Sequence, residues 1–147
     1  MQDDARLCYK TLQQYFNEDS IIVYGRSLGT HFATLVASEN KPRQLILETP
    51  FTSLTDVAQS RLPVFPVKWL IRFPFDNRSL IKKITCPLTI IHGTADGVVP
   101  YRFGKKLFDA AGKNKTLITV PGGSHNDLVK YKEYRDAIEK MLDGRYY

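Results

Sequence analysis

Three side chains carry the chemistry legible in this 147-residue chain: Ser27, Asp96 and His125. A serine hydroxyl is a weak nucleophile until a base takes its proton. Imidazole suits that task near neutral pH, and a carboxylate can hold the ring in the useful tautomer. Ser27 lies at the centre of Gly25-Arg26-Ser27-Leu28-Gly29, a G-x-S-x-G pentapeptide. The apolar run Ile21 to Tyr24 reads as a buried strand leading into it, and Leu28, Phe32, Leu35 and Val36 follow at helical spacing. Strand, glycine-flanked turn and helix form the context of a nucleophile elbow. Such a turn lifts Ser27 Oγ clear of the sheet. It also leaves the backbone N–H of Leu28, at the positive end of the helix, available to an oxyanion. Gly25 and Gly29 are both required on this reading, because the serine backbone is strained and strand and helix must approach closely.

Taken singly, each residue has a plainer reading. The pentapeptide suits an ordinary strand-to-helix turn. Asp96-Gly97 is a common turn pair, and His125 fits a loop histidine, with Asn126 or Asp127 as a helix cap. What argues for the chemistry is the set of elements that would position the three together. Residues 3–17 place Ala5, Cys8, Leu12, Tyr15 and Phe16 on one helix face, with Asp3 and Asp4 as caps. After the elbow unit, Asn40-Lys41-Pro42 ends the helix and Gln44 to Glu48 reads as a second strand. Residues 52–83 carry Pro63, Pro66 and Pro74 with Phe65, Trp69, Phe73 and Phe75 interleaved. Prolines at that spacing exclude one long helix, leaving an irregular insertion that either lids a pocket or packs between layers.

A third strand, Leu88 to Ile91, leads to His92 and Asp96. Pro100 opens a helix built on Phe103, Leu107, Phe108 and Ala111, with Gly112 ending it. A fourth strand, Thr116 to Val120, leads to His125, and a last helix uses Leu128, Tyr131, Ile138, Met141 and Leu142. This alternation argues one α/β domain over 1–147, with a mostly parallel sheet flanked by helices. In such sheets the functional loops lie at the carboxyl ends of strands. Ser27, Asp96 and His125 each follow one.

Ser, Asp, His in chain order is the order of the α/β-hydrolases. The chain resembles the C-terminal part of such a protein, close to abhydrolase-type serine hydrolases similar to prolyl oligopeptidase catalytic domains. Four stretches carry the resemblance: Gly25 to Gly29, Leu47-Glu48-Thr49-Pro50-Phe51-Thr52-Ser53-Leu54, His92 to Pro100, and Gly123 to Asp127. The resemblance implies Ser27 as nucleophile, Asp96 as acid, His125 as base and Leu28 as one oxyanion-hole donor. It also implies that Tyr24, Arg26, Phe51 and Val98 lie near a pocket for an ester, thioester or amide substrate, with no cofactor and no metal. His92, which resembles a structural residue, and His31, inside the elbow helix, are the competing bases.

The resemblance also implies a partial α/β-hydrolase fold, since about eight strands are usual and four are legible. The early strands and the loop giving a second oxyanion-hole N–H would be missing. Ile21 to Tyr24 would then form an exposed apolar edge, an invitation to self-association. A truncated product, a minimal hydrolase that pairs through this edge, and a non-catalytic binding or scaffold remnant are the competing explanations. Composition narrows the partners. Lys and Arg number 21 against 15 Asp and Glu, a formal charge of +6. The basic residues are scattered, which argues a solvated surface and no nucleic-acid partner. Weak attraction to acidic membranes, through this charge and the aromatic insertion, remains as the peripheral-membrane reading. Cys8 and Cys86 suggest neither a disulfide framework nor a metal site. No apolar run has the length of a membrane span, and Met1-Gln2-Asp3-Asp4 is unlike a signal peptide, so a cytoplasmic location is expected.

Overall fold

The computed structural model describes residues 1–142. Four strands, β1 (Ile22–Arg26), β2 (Gln44–Glu48), β3 (Leu88–Gly93) and β4 (Lys115–Val120), pair in parallel in the order β1-β2-β3-β4. Seven α-helices accompany them among the described residues: α1 (Gln2–Leu12), α2 (Gly29–Glu39), α3 (Leu54–Arg61), α4 (Val67–Leu70), α5 (Asn77–Ile81), α6 (Tyr101–Ala110) and α7 (Lys132–Leu142). The strands step across the sheet in one direction. Right-handed crossovers therefore put every connecting helix on the same face.

Strand periodicity divides the core accordingly. Leu45, Leu47, Leu88 and Ile90 pack with Ala33 and Ala37 of α2, Ile81 of α5 and Leu107 of α6. Ile46, Ile91 and Val120 point the other way, against Leu128 and against Ala137 and Met141 of α7. The α7 helix thus covers the second face. Both β2 and β3 are buried along their whole lengths, as central strands of a parallel sheet covered on both faces are. Each fully buried Leu or Ile there contributes roughly 1.5–3 kcal/mol.

Three local expectations need correction. The first helix ends at Leu12, and Tyr9, rather than Cys8, is its buried residue. Tyr9 packs with Ile21 and Val36, and its hydroxyl donates to Glu18 Oε1 at 2.9 Å. That anchor rotates the helix so that Leu12 is exposed, as are Tyr15 and Phe16 beyond it. Asp3 and Asp4 lie in the first turn of α1, and the residue at its cap is Met1. At the other end of the chain, Leu128 sits in a 3₁₀ turn ahead of α7, and Leu142 is exposed.

The insertion resolves into three short helices separated by its prolines. Ser53 caps α3, its Oγ accepting from the Asp56 N–H at 2.9 Å. Asp76 caps α5 through the N–H groups of Arg78 and Ser79. Strand β1 lies at the end of the sheet, paired on one side by β2. Its N-terminal flank is covered by α1, so Ile21 is buried while Tyr24 is half exposed.

Candidate active site

The turn after β1 folds as its glycine-flanked sequence suggests. Ser27 adopts φ 50, the left-handed region that costs a non-glycine residue energy. Neighbours hold it there. The Ser27 N–H donates to Glu48 O at 2.9 Å, and Ser27 O accepts from the Thr30 N–H at 3.0 Å and from Thr30 Oγ1 at 2.6 Å. Gly25 is required by close approach: a Cβ there would lie 2.6 Å from Ala33 Cβ and 2.7 Å from Gly29 O. Gly29 is not, since a Cβ at that position would meet nothing within 4 Å. The expectation that both glycines serve strand–helix contact therefore holds for Gly25 alone. Leu28 immediately precedes the first turn of α2, and its N–H has no hydrogen-bond partner among the described residues.

The loops after β3 and β4 bring Asp96 and His125 to this turn. His125 Nε2 lies 2.9 Å from Ser27 Oγ, and His125 Nδ1 lies 2.8 Å from Asp96 Oδ2. With Asp96 accepting from Nδ1–H, Nε2 is left as the acceptor for the serine hydroxyl. The Asp96 carboxylate is fixed on its other oxygen, where Oδ1 accepts the N–H groups of Val98 and Val99 at 2.9 and 2.8 Å. Burial alone would raise this carboxyl. Hydrogen bonds from His92, His125 and the Val99 and Val98 amides outweigh it and hold the group at about 2.

His92 sits behind the carboxylate rather than beside the serine. It is fully buried, with Nε2 2.9 Å from Val99 O and 3.3 Å from Asp96 Oδ2. Its Nδ1 has no partner among the described residues and faces Gly104, where an added Cβ would lie 2.1 Å away. In this arrangement Nε2–H donates to the Val99 carbonyl. His31, the other competitor, is buried in α2, with Nδ1 2.9 Å from Asn77 Oδ1 and Nε2 3.0 Å from Gln2 Nε2. Burial lowers its basicity, against the opposing hydrogen bond that the ring donates to Asn77 Oδ1. Neither ring has a contact with Ser27 among the described hydrogen bonds.

The four residues expected near a pocket separate into different environments. Arg26 spans two structures: its Nε donates to Glu48 Oε1 at 3.1 Å, and its Nη2 donates to His125 O at 2.9 Å and Asn126 Oδ1 at 2.6 Å. Tyr24 donates to Glu48 Oε2, which also accepts from Tyr134 Oη at 2.9 Å. Burial, then the Glu48 carboxylate, pushes the Tyr24 hydroxyl well above its ordinary value. Phe51 is buried with Val99 and Phe103. Val98 is half exposed on the loop that carries Asp96. The residue that sequence reasoning passed over is Glu48. It is a buried carboxylate at the end of β2 that ties β1 to α7 and, through Arg26, to the His125 loop. Its only local signal was a charge closing an otherwise apolar strand.

Comparison with known proteins agrees with this architecture. The family model described as Serine aminopeptidase, S33, matches residues 76–129. An uncharacterized protein of Mycobacterium tuberculosis is 32% identical over 143 residues, covering 95% of this chain and 51% of that protein. The lysophosphatidylserine lipase ABHD12 of Danio rerio is 35% identical over 137 residues, covering 80% of this chain and 35% of the lipase. The chain thus spans about half the length, or less, of these relatives. Among solved structures, acetyl xylan esterase 1 from a Thermoanaerobacterium species superposes with a TM-score of 0.76 at 17% identity, over 98% of this chain and 52% of the esterase. A shared parallel sheet, together with sequence likeness that runs nearly end to end, makes this chain a member of the α/β-hydrolase family.

Proposed function

We propose that the chain is a serine hydrolase acting on an ester, thioester or amide through an acyl-enzyme. The observation that carries this reading is the unbroken hydrogen-bonded chain from Ser27 Oγ through His125 to Asp96. Ser27 Oγ attacks the carbonyl carbon as its proton passes to His125 Nε2. Asp96, ionised at neutral pH, keeps the imidazole in place and stabilises its positive charge. The developing oxyanion takes the free N–H of Leu28, at the N-terminus of α2, as a donor. His125 then returns the proton to the departing alcohol, thiol or amine as the carbonyl–heteroatom bond breaks. A water molecule, deprotonated by the same nitrogen, attacks the acyl carbon and releases the acid and Ser27.

Arg26 and Glu48 support this reading as positioning residues. Arg26 bridges the strand that presents the serine to the loop that presents the histidine. Leu28, next to Ser27, and Val98, on the loop that carries Asp96, are both partly exposed and apolar, which suits an acyl group. Hydrolysis of short-chain p-nitrophenyl esters by the purified chain tests the proposal. Turnover is expected to fall about a thousandfold or more in Ser27→Ala. Equal turnover by that variant would refute it.

A further inference from the structure

The segment between α3 and α5 exposes several large apolar side chains, two of them almost completely. Val64 is 90% exposed and Trp69 91% exposed, and Leu62, Phe65 and Phe73 are each more than half exposed. These residues all fall within one twelve-residue stretch, Leu62 to Phe73. The loop that presents them is held in shape. Gln59 Nε2 donates to the carbonyls of Leu62, Pro63 and Phe65, at 3.2, 2.9 and 3.3 Å. The Phe65 and Val67 N–H groups close turns on Leu62 O and Phe65 O. Apolar groups displayed on a braced loop suit a binding surface.

Two observations select its partner. The sequence from Arg61 to Phe75 contains three basic residues and no Asp or Glu, in a chain whose net charge is +6. The guanidinium of Arg72 lies 5.5 Å from the centre of the Phe73 ring. Tryptophan and phenylalanine beside arginine are the side chains that settle at the level of lipid headgroups, the rings entering the acyl boundary and the cations meeting anionic phosphates. The segment is also fixed to the candidate site. Arg61 Nη2 donates to Gly97 O and, at 3.2 Å, to Val98 O, both in the loop that carries Asp96. The segment therefore sits beside the loop that carries Asp96, at the carboxyl end of the sheet.

We propose that the Leu62–Phe73 surface docks the chain on an anionic lipid bilayer, with the candidate active site at the edge of the contact. The contact is independent of the hydrolase reading, because none of its side chains belongs to the Ser27–His125–Asp96 chain. Trp69 is the sole tryptophan, so its emission reports on the patch directly. The chain is titrated with phosphatidylcholine vesicles containing about one-third phosphatidylserine, and with pure phosphatidylcholine vesicles. Expected is a blue shift of Trp69 emission on the anionic vesicles, weakened by raised salt and unchanged in Ser27→Ala. In the double variant Val64→Ser/Phe65→Ser, which retains Trp69, vesicle affinity is expected to fall about tenfold or more, with the circular dichroism spectrum unchanged. No shift with the anionic vesicles would overturn the proposal, and so would equal affinity for neutral ones or wild-type affinity in the double variant. A blue shift that grows with protein concentration in the absence of lipid would overturn it as well, by placing a second copy of the chain on the patch.

Discussion

Replacing Asp96 with Asn changes one atom's role and leaves the shape of the side chain intact. In the wild type, Oδ1 accepts two backbone N–H groups while Oδ2 faces His125 Nδ1 at 2.8 Å and His92 Nε2 at 3.3 Å. The Asn carbonyl can keep the backbone pair. Its NH₂ group then meets two imidazole nitrogens that were donating. His125 relieves the conflict by moving its proton to Nε2, which turns the acceptor facing Ser27 into a donor. Labelling by a fluorophosphonate is expected to slow by about 10⁴-fold, the size of the effect when a serine hydrolase loses this carboxylate.

Stability follows from the same contacts. The carboxyl is held at about 2, against 3.8 for the free side chain. Because the folded value is depressed, the contribution is fully present above the unfolded value and is lost as pH falls toward 2. That shift is worth about 2 kcal/mol at neutral pH. Urea unfolding of wild type and Asp96→Asn should therefore differ by about that amount at pH 7, by roughly half as much near pH 3, and by nothing in stronger acid. Equal stability at pH 7 would refute the reasoning, as would a folded variant labelled at the wild-type rate. A gap that stays constant into acid would trace the effect to packing instead of charge.

Two further substitutions probe the supporting contacts. Arg26→Ala removes the donors to Glu48, His125 O and Asn126. Fluorophosphonate labelling is expected to slow by about tenfold or more, and millimolar guanidinium should restore part of the rate, whereas labelling within twofold of wild type would dismiss the clamp. Gly104→Ala drives a methyl group to 2.1 Å from His92 Nδ1. It should lower stability by about 1–3 kcal/mol in thermal melts, and an unchanged melting temperature would show that His92 is free to move.

Much of the framework was legible because it is written locally. A run such as Gln44-Leu45-Ile46-Leu47-Glu48 specifies a buried strand on its own, and its bounds match β2 residue for residue. The strand ends that carry Ser27, Asp96 and His125 were visible for the same reason. What escaped was set by register and rotation. Glu48 matters because parallel pairing puts it opposite Arg26, and nothing within either strand specifies that pairing. The α1 helix offers Cys8 and Tyr9 at adjacent positions, and the contact of Tyr9 with Ile21, Val36 and Glu18 decided which one turned inward. Three short helices in the proline-rich insertion depend on caps at Ser53 and Asp76. Those caps work only once the surrounding loops are placed.

The proposed chemistry stands or falls on whether Ser27 is an activated nucleophile. Intact-protein and peptide mass spectrometry after fluorophosphonate treatment addresses this for the wild type, Ser27→Ala and His125→Ala. The expected result is one phosphonyl group per chain, located on Ser27, and absent from both variants. A folded wild-type chain that takes up no phosphonyl would contradict the account, as would an adduct on another residue or labelling that survives in Ser27→Ala.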